Sequence, residues 1–457
     1  MAFSHVARMV CARLLRLTSI PALLMTFVLW LVTAGSSAAI GLLRDPDIEN
    51  GLRELAFPIL RAAGLNTRRV QILLVDNDRF NAFVIDHNAI FLNYGLILKV
   101  KSPEMLQAVI AHEAAHISNG HIQRRMANLE AAGRMASLGT ALALLAAAAG
   151  AGEAAGGIAL GAQSSAMRGF LSHTRAEEAS ADRSAASYLH RSGITVQGLV
   201  DIHEEFAGQE LLSPVNQDPY MRSHPLSRDR MRAAQDFLDA YGDPALPNAS
   251  AEYWFARIKG KTSAFTRSPK WTLLRAAEES HRDIRLMREA IAHHRNRDLG
   301  RALAAIDGAL AIRPEDAFYY ELKGQILLEN RRIGSAREAY ARAQELAPRD
   351  ALIGAGYGRA LLLAEQPRAA LEVLEMARAR DWRNARLMHD LALAYAQTGD
   401  AGMASVTTAE RYALIGDLAD AGIHARRAIG RLPEGSPGWQ RAQDILLASE
   451  RAEKRKR

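Results

Sequence analysis

Small residues recur every 34 positions through the second half of this sequence. Alanine stands at 302, 336, 370 and 404; a second series on the same interval reads Ala290, Gly324, Gly358 and Ala392; a third reads Ala309, Ala343 and Ala377, and Pro314 and Pro348 close two of the units. Small side chains are needed where the helices of a hairpin, or of neighbouring hairpins, approach closely, and a proline after the second helix stops it. A plain helical bundle has no reason to keep three series in phase. The pattern therefore predicts hairpins stacked one on the next, an all-α solenoid in which each unit buries its apolar face against its neighbours. The register is lost after 404, where a longer helix through Leu414 and a further one from Asp417 to Leu432 read as a terminal cap.

Unit length and pattern are those of the tetratricopeptide repeat (TPR), expected over residues 271–450 with a short basic tail at 451–457. Turn formers gather in Tyr-Gly-Asp-Pro-Ala-Leu-Pro-Asn at 241–248 and mark a boundary, with 246–270 as a linker or connecting helix. With 457 residues, 49% of them hydrophobic and 23% charged, the chain has room for a second folded domain ahead of the repeats, expected at 40–245.

The first 39 residues carry an address. Arg8, Arg13 and Arg16, with no acid among them, precede an apolar run from Ile20 to Val32 that ends in Ala34-Gly35-Ser36-Ser37-Ala38-Ala39. Basic, apolar, then small is the order of a secretory signal peptide, and the run falls short of the ~20 residues that span a bilayer core. Cleavage is expected before Ile40, which places the mature protein in a periplasm. The one cysteine, Cys11, leaves with it, so no disulfide framework or cysteine metal site is possible.

Within 40–245, Asp45–Ala63 reads as a helix, and Val70–Val75 and Ala89–Asn93 read as strands bounded by turn formers at Asp76-Asn77-Asp78 and Asp86-His87-Asn88. From Pro103 the spacing of Met105, Leu106, Val109, Ile110 and Ile117 predicts a helix capped by Ser102. Strands followed by helices make this an α+β domain, mostly helical with a small sheet. The uncharged stretches Met135–Gly152 and Ala154–Met167, rich in Ala and Gly, read as a helical hairpin or lid rather than a membrane pair.

The capped helix carries His112-Glu113-Ala114-Ala115-His116. Histidines at i and i+4 project from one helix face, so two imidazoles can hold one Zn²⁺, and Glu113 can take a proton from a water bound there. The spacing of a third histidine six residues beyond His116 is not met: that position is Ile122, and His121 is one short. A second helix over Thr174–Asp182 instead offers Glu178 and Asp182 one turn apart, so that one can bind metal while the other holds an imidazole N–H. Glu177 points about 100° away, toward solvent. His87, His121, His173 and His190 read as structural or solvent-facing.

These residues resemble the HtpX/BepA-type zinc metallopeptidases of the gluzincin group. The resemblance rests on His112-Glu113-Ala114-Ala115-His116, on Glu178-x-x-Ala181-Asp182, on Ser223-His224-Pro225-x-x-x-x-Arg230 and on Asn81-Ala82-Phe83, and it spans residues 45 to 240. The order of signal peptide, peptidase and TPR array is similar to that of the periplasmic β-barrel assembly-enhancing proteases. It implies one Zn²⁺ per chain held by His112, His116 and Glu178, Glu113 as general base, and Asp182 supporting a ligand. His224, in an extended or turn segment before Pro225, is expected over the metal, either donating to an oxyanion or filling the open metal position until the loop moves. Arg230 either fixes that loop by an ion pair or meets substrate. Asp86-His87-Asn88 departs from the glycines such enzymes often carry there.

The expected activity is that of an exported zinc endopeptidase acting on misfolded or misassembled cell-envelope proteins, which bind as an added strand along Ala89–Asn93. The TPR array docks partners or substrates, among them outer-membrane assembly machinery. The competing expectation is a TPR chaperone or adaptor with latent, lid-gated proteolysis. The formal charge of +7 does not argue for nucleic acid. Without residues 1–39 it is +4, and five bases against two acids in Glu450–Arg457 account for most of that. Membrane association is expected to be peripheral at most.

Overall fold

The computed structural model describes residues 41–131, 174–212, 217–242 and 248–456. The expected export signal, the Ala/Gly-rich stretches and His173 lie outside the described residues.

Four strands, β1 (Leu42–Leu43), β2 (Gln71–Val75), β3 (Ala82–Val84) and β4 (Ala89–Asn93), form one sheet in the order β1-β2-β4-β3. β2 and β4 run parallel with Gln71 opposite Ala89, whereas β1 and β3 pair antiparallel at the two sides. Every residue of β4 is buried; because successive side chains alternate between faces, the sheet is covered on both. The expected use of Ala89–Asn93 for substrate is thereby corrected. β4 is paired on both sides, and the edge strands are β1 and β3.

The helices of this half are α1 (Pro46–Ala62), α2 (Tyr94–Lys99), α3 (Pro103–Ser118), α4 (His121–Ala131), α5 (Arg175–Arg191), α6 (Gln197–Glu205), α7 (Pro219–Ser223) and α8 (Arg228–Tyr241). Asp45 and Ser102 cap α1 and α3 by accepting the N–H groups of Ile48 and Met105 at 2.9 and 3.2 Å. α3 is buried from Met105 through Ile117, the mark of a helix at the centre of its domain rather than on a surface. α5 packs along it, and the buried alanines Ala114, Ala115, Ala181, Ala185 and Ala186 are the size such close approach requires. α6 crosses the start of α3 at Gly198, where a Cβ would stand 2.2 Å from the Glu104 carbonyl oxygen. The Asp86-His87-Asn88 turn closes without glycine, because Asp86 Oδ1 accepts from the Asn88 and Ala89 N–H groups at 2.7 and 3.1 Å.

α9 (Ala249–Thr266) and α10 (Pro269–Ala276) lead into four hairpins: α11 (Arg282–Arg295) with α12 (Leu299–Ile312), α13 (Ala317–Glu329) with α14 (Ile333–Leu346), α15 (Ala351–Leu363) with α16 (Pro367–Arg378), and α17 (Ala385–Gln397) with α18 (Ala401–Leu414). This is the TPR solenoid. Ala302, Ala336, Ala370, Ala309 and Ala343 have no exposed surface, and a Cβ on Gly324 or Gly358 would meet Tyr340 at 2.7 Å or Leu374 at 2.4 Å. The phased small residues are thus the contact points of the hairpins. The cap is larger than expected: α19 (Leu418–Ile429) is followed by α20 (Pro437–Lys456), so most of the basic residues read as a tail lie on a helix.

Charged groups join the halves. Arg257 of α9, 1% exposed, reaches Asp47 of α1 at 2.7 Å and Asp316 before α13 at 2.5 Å. Lys261 pairs with Asp45 at 2.9 Å, and Arg44 with Asp381 at 2.9 Å. Asp316, Asp350 and Asn384 cap the first helices of successive hairpins at the 34-residue interval, and Arg383, beside the last of them, stands 3.8 Å from Asp86 of the first domain. No helix among the described residues is long and apolar enough to cross a membrane.

Candidate metal centre

Four side chains from three places in the chain converge beside β3. α3 supplies His112 and His116, α5 supplies Glu178, and the residue after α7 supplies His224; one donor atom from each lies within 4.8 Å of all the others, and all four residues are buried. His112 Nε2 is 3.0 Å from His116 Nε2 and 3.3 Å from His224 Nδ1. Glu178 stands 3.4 Å from His112 through Oε2, and 3.2 Å from His116 and 3.1 Å from His224 through Oε1.

Hydrogen bonding does not satisfy such a cluster. His112 Nε2 faces two other ring nitrogens, and a ring nitrogen carries at most one proton. A cation at the centre satisfies all four lone pairs. A tetrahedron with metal–ligand bonds of ~2.0–2.1 Å has edges of about 3.3–3.4 Å; with Glu178 Oε1 as the carboxylate atom, four of the six edges of this donor set measure 3.0–3.3 Å, close to that value. The donor set fits a divalent metal.

The outer atoms of the cluster are anchored. His112 Nδ1 donates to Asp182 Oδ1 at 2.9 Å. Asp182 in turn accepts both arms of Arg230, Nε at 2.6 Å and Nη2 at 2.8 Å, a fork that matches a carboxylate. Arg230 Nη1 reaches Glu178 Oε2 and the Pro225 carbonyl oxygen, each at 2.8 Å. Of the two roles left open for Arg230, the geometry supplies the ion pair. His224 follows the short α7, its N–H bonded to the Tyr220 carbonyl at 2.7 Å and its ring against Tyr220 at 4.8 Å. Two motifs far apart in sequence meet here: Ser223 Oγ donates to Asn81 Oδ1 at 3.3 Å, and His224 Nε2 lies 3.3 Å from the Ala82 carbonyl oxygen.

Burial opposes charge throughout the site, and the neighbours decide where it persists. At His112 burial is outweighed by Glu178 and Asp182, which hold its pKa up to about 10. At His116 burial prevails and the pKa falls well below that of ordinary imidazole. Glu178 and Asp182 stay ionised despite burial, Glu178 chiefly through His224 and Arg230 and Asp182 through Arg230 and His112. Glu113, fully buried, is the exception. Burial pushes its pKa up, neither oxygen accepts a well-directed hydrogen bond among the described residues, and His224 Nε2 stands 3.3 Å from Oε1. A buried carboxyl held off its usual pKa beside a metal-type donor set is what proton transfer requires.

Two histidines passed over in the sequence belong here. His121 is buried with Nδ1 2.8 Å from His116 Nδ1, and His203 on α6 stands 3.6 Å from Asp182 Oδ2, with burial pushing its pKa down to about 4. His121 fails the spacing rule for a ligand and is none; its place next to a ligand follows from the turn at Asn119-Gly120. His203 had no signal, being one polar residue on an otherwise amphipathic helix. His87 and His190 are exposed. Glu177, expected toward solvent, closes a capping box with Thr174 and pairs with Arg125 at 3.1 Å.

Residues 42–237 match the family described as peptidase family M48. The β-barrel assembly-enhancing protease of Escherichia coli (strain K12) is 24% identical over 390 residues, 82% of this chain and 78% of that protein. The metalloprotease LoiP of the same organism is 30% identical over 169 residues, 35% of this chain and 60% of its own. Among solved structures, the TPR protein YrrB aligns with 19% identity and a TM-score of 0.27 over 39% of this chain and 97% of its own. Sequence match and converging donor set agree: this chain carries a domain of peptidase family M48 and is a metallopeptidase with a TPR solenoid behind that domain.

Proposed function

We propose that the protein is an exported zinc endopeptidase that hydrolyses misfolded or misassembled cell-envelope proteins, with its TPR solenoid docking partners or substrates. The observation that carries the chemical part is the buried donor set of His112, His116, Glu178 and His224 with the buried Glu113 carboxyl beside it. Three nitrogens and an oxygen at this spacing suit zinc over the larger, all-oxygen shells of calcium or magnesium. The envelope setting rests on the kinship with β-barrel assembly-enhancing proteases and on the order of residues in 1–39.

In this reading His112, His116 and Glu178 hold the metal, which when bound supplies Lewis acidity toward water and the scissile carbonyl. Glu113 removes a proton from the attacking water and delivers it to the leaving amine; its raised pKa suits both halves of that task. Asp182, gripped by Arg230, keeps the His112 proton on Nδ1 and its Nε2 lone pair inward. The substrate lies along the edge strand β3, whose main chain offers hydrogen bonds without demanding a sequence. That suits unfolded chains as substrates.

His224 gives a second reading its support. Its Nδ1 completes the donor set and its Nε2 stands beside Glu113, so the arrangement described is closed at both the metal position and the base. Proteolysis is then latent until the segment after α7 shifts, and the solenoid acts as chaperone or adaptor in the meantime. Stripping the metal with a chelator should abolish cleavage of an unfolded protein, and stoichiometric Zn²⁺ should restore it; cleavage that survives metal removal sinks the metallopeptidase mechanism. Complementation of an envelope-stress phenotype separates the two readings, since full rescue by Glu113→Gln favours the adaptor.

A further inference from the structure

We propose that His121 is a positioning residue of the metal centre: it accepts the outer N–H of His116 and so fixes the tautomer and angle at which His116 Nε2 meets the metal. The inference rests on the reading of His116 as a ligand. The two Nδ1 atoms are 2.8 Å apart, and the rings are inclined at 66° with centroids 4.9 Å apart. His116 is fully buried and His121 is 2% exposed. His116 turns Nε2 toward His112 and Glu178. A neutral imidazole carries one proton, so a lone pair on Nε2 places that proton on Nδ1. His116 then donates, His121 Nδ1 accepts, and His121 keeps its own proton on Nε2.

The chain is built to bring His121 back. α3 ends at Ser118, and Gly120 takes φ +68, a left-handed conformation that glycine adopts without strain. α4 therefore starts at His121, folded against the last turn of α3. Asn119 ties the turn to α5, donating to Ser180 Oγ at 3.2 Å and Ser184 Oγ at 3.1 Å, and Arg124 closes it on the Asn119 carbonyl at 2.9 Å. The helix that anchors the turn is the helix that carries Glu178. The two ligands of α3 thus have unlike supports, a carboxylate behind His112 and an imidazole behind His116, and the seat of α4 is coupled to the metal position.

The test uses the full chain, stripped of metal and titrated with Zn²⁺ against a chromophoric chelator. His121→Leu, which removes the acceptor, is expected to bind zinc about 10–100-fold more weakly than wild type. His121→Asn, whose side-chain carbonyl replaces the acceptor, is expected to stay within about threefold, with metal-free melting temperatures of the two variants alike. A core-filling histidine predicts the reverse: the variants lose stability and bind zinc equally. His121→Leu binding within about threefold of wild type overturns the proposal. Should that variant not fold, zinc-loaded wild type labelled with ¹⁵N-histidine decides the matter, because a scalar coupling across the N–H···N bond is expected between the two Nδ1 atoms and its absence overturns the proposal equally. Wild type that binds no zinc would instead refute the metal reading on which the inference stands.

Discussion

At the scale of single residues, the site is an exercise in keeping charge inside a protein. Glu178 and Asp182 are ionised with almost no exposure, which is tolerable because Arg230 spans both carboxylates and His224 and His112 add to its effect. Removing one partner of such a buried set costs about 3–5 kcal/mol, since the other is left uncompensated. Arg230→Met should therefore lower the melting temperature of the metal-free protein sharply. Arg230→Lys should recover only part of the loss, because an ammonium cannot reproduce the two-armed grip on Asp182; equal melting temperatures for Lys and wild type would contradict that reading. The residues that carry the site were legible where chemistry dictates spacing: His112 and His116 at i and i+4, Glu178 and Asp182 on one helix face. His121 and His203 were not, because their roles arise from a left-handed turn and from a helix packed across, neither of which has a spacing rule.

At the scale of elements, the phased small residues were visible because packing demands them. Gly358 makes the point: a Cβ there would stand 2.4 Å from Leu374, and Gly358→Ala should cost about 1–3 kcal/mol from overpacking, read as a fall in melting temperature. A fourth series on the same period went unseen. Arg297, Arg331 and Glu365 take φ of 62, 59 and 57, and Gly399 follows with φ 90; these residues close the first helix of each hairpin. The left-handed bend recurs every 34 residues, but three of the four positions hold residues that give no hint of it. Arg331→Gly should raise stability by up to about 1 kcal/mol, as relief of the left-handed strain exceeds the entropy glycine adds to the unfolded chain. A similar blindness hid β1 and β3, whose two and three residues are too few to show an alternation, and led to β4 being read as the strand open to substrate.

At the scale of the whole molecule, the connection between peptidase domain and solenoid is a buried electrostatic joint. Arg257 serves both sides through Asp47 and Asp316, so Arg257→Ala should cost about 3–5 kcal/mol and split a single denaturant transition into two. A single transition at the wild-type midpoint would show the joint to be dispensable. Glu321 makes the same joint sensitive to pH. Burial pushes its carboxyl up to about 8, with Lys261 opposing and Asp45 and Asp47 adding to the push. A carboxyl raised in the folded state adds stability that is complete below its unfolded pKa and disappears as pH rises through about 8. Stability should accordingly decline between pH 5 and roughly pH 9, and Glu321→Gln should flatten that decline. The account as a whole depends on Glu113 acting as the proton carrier beside a metal it does not bind. The most direct measurement is zinc content and cleavage of an unfolded protein, taken on the same preparations of wild type and Glu113→Gln. The account predicts one zinc per chain in both and a loss of cleavage of about 10²–10⁴-fold in the variant; a variant that retains zinc and cleaves at the wild-type rate would contradict it.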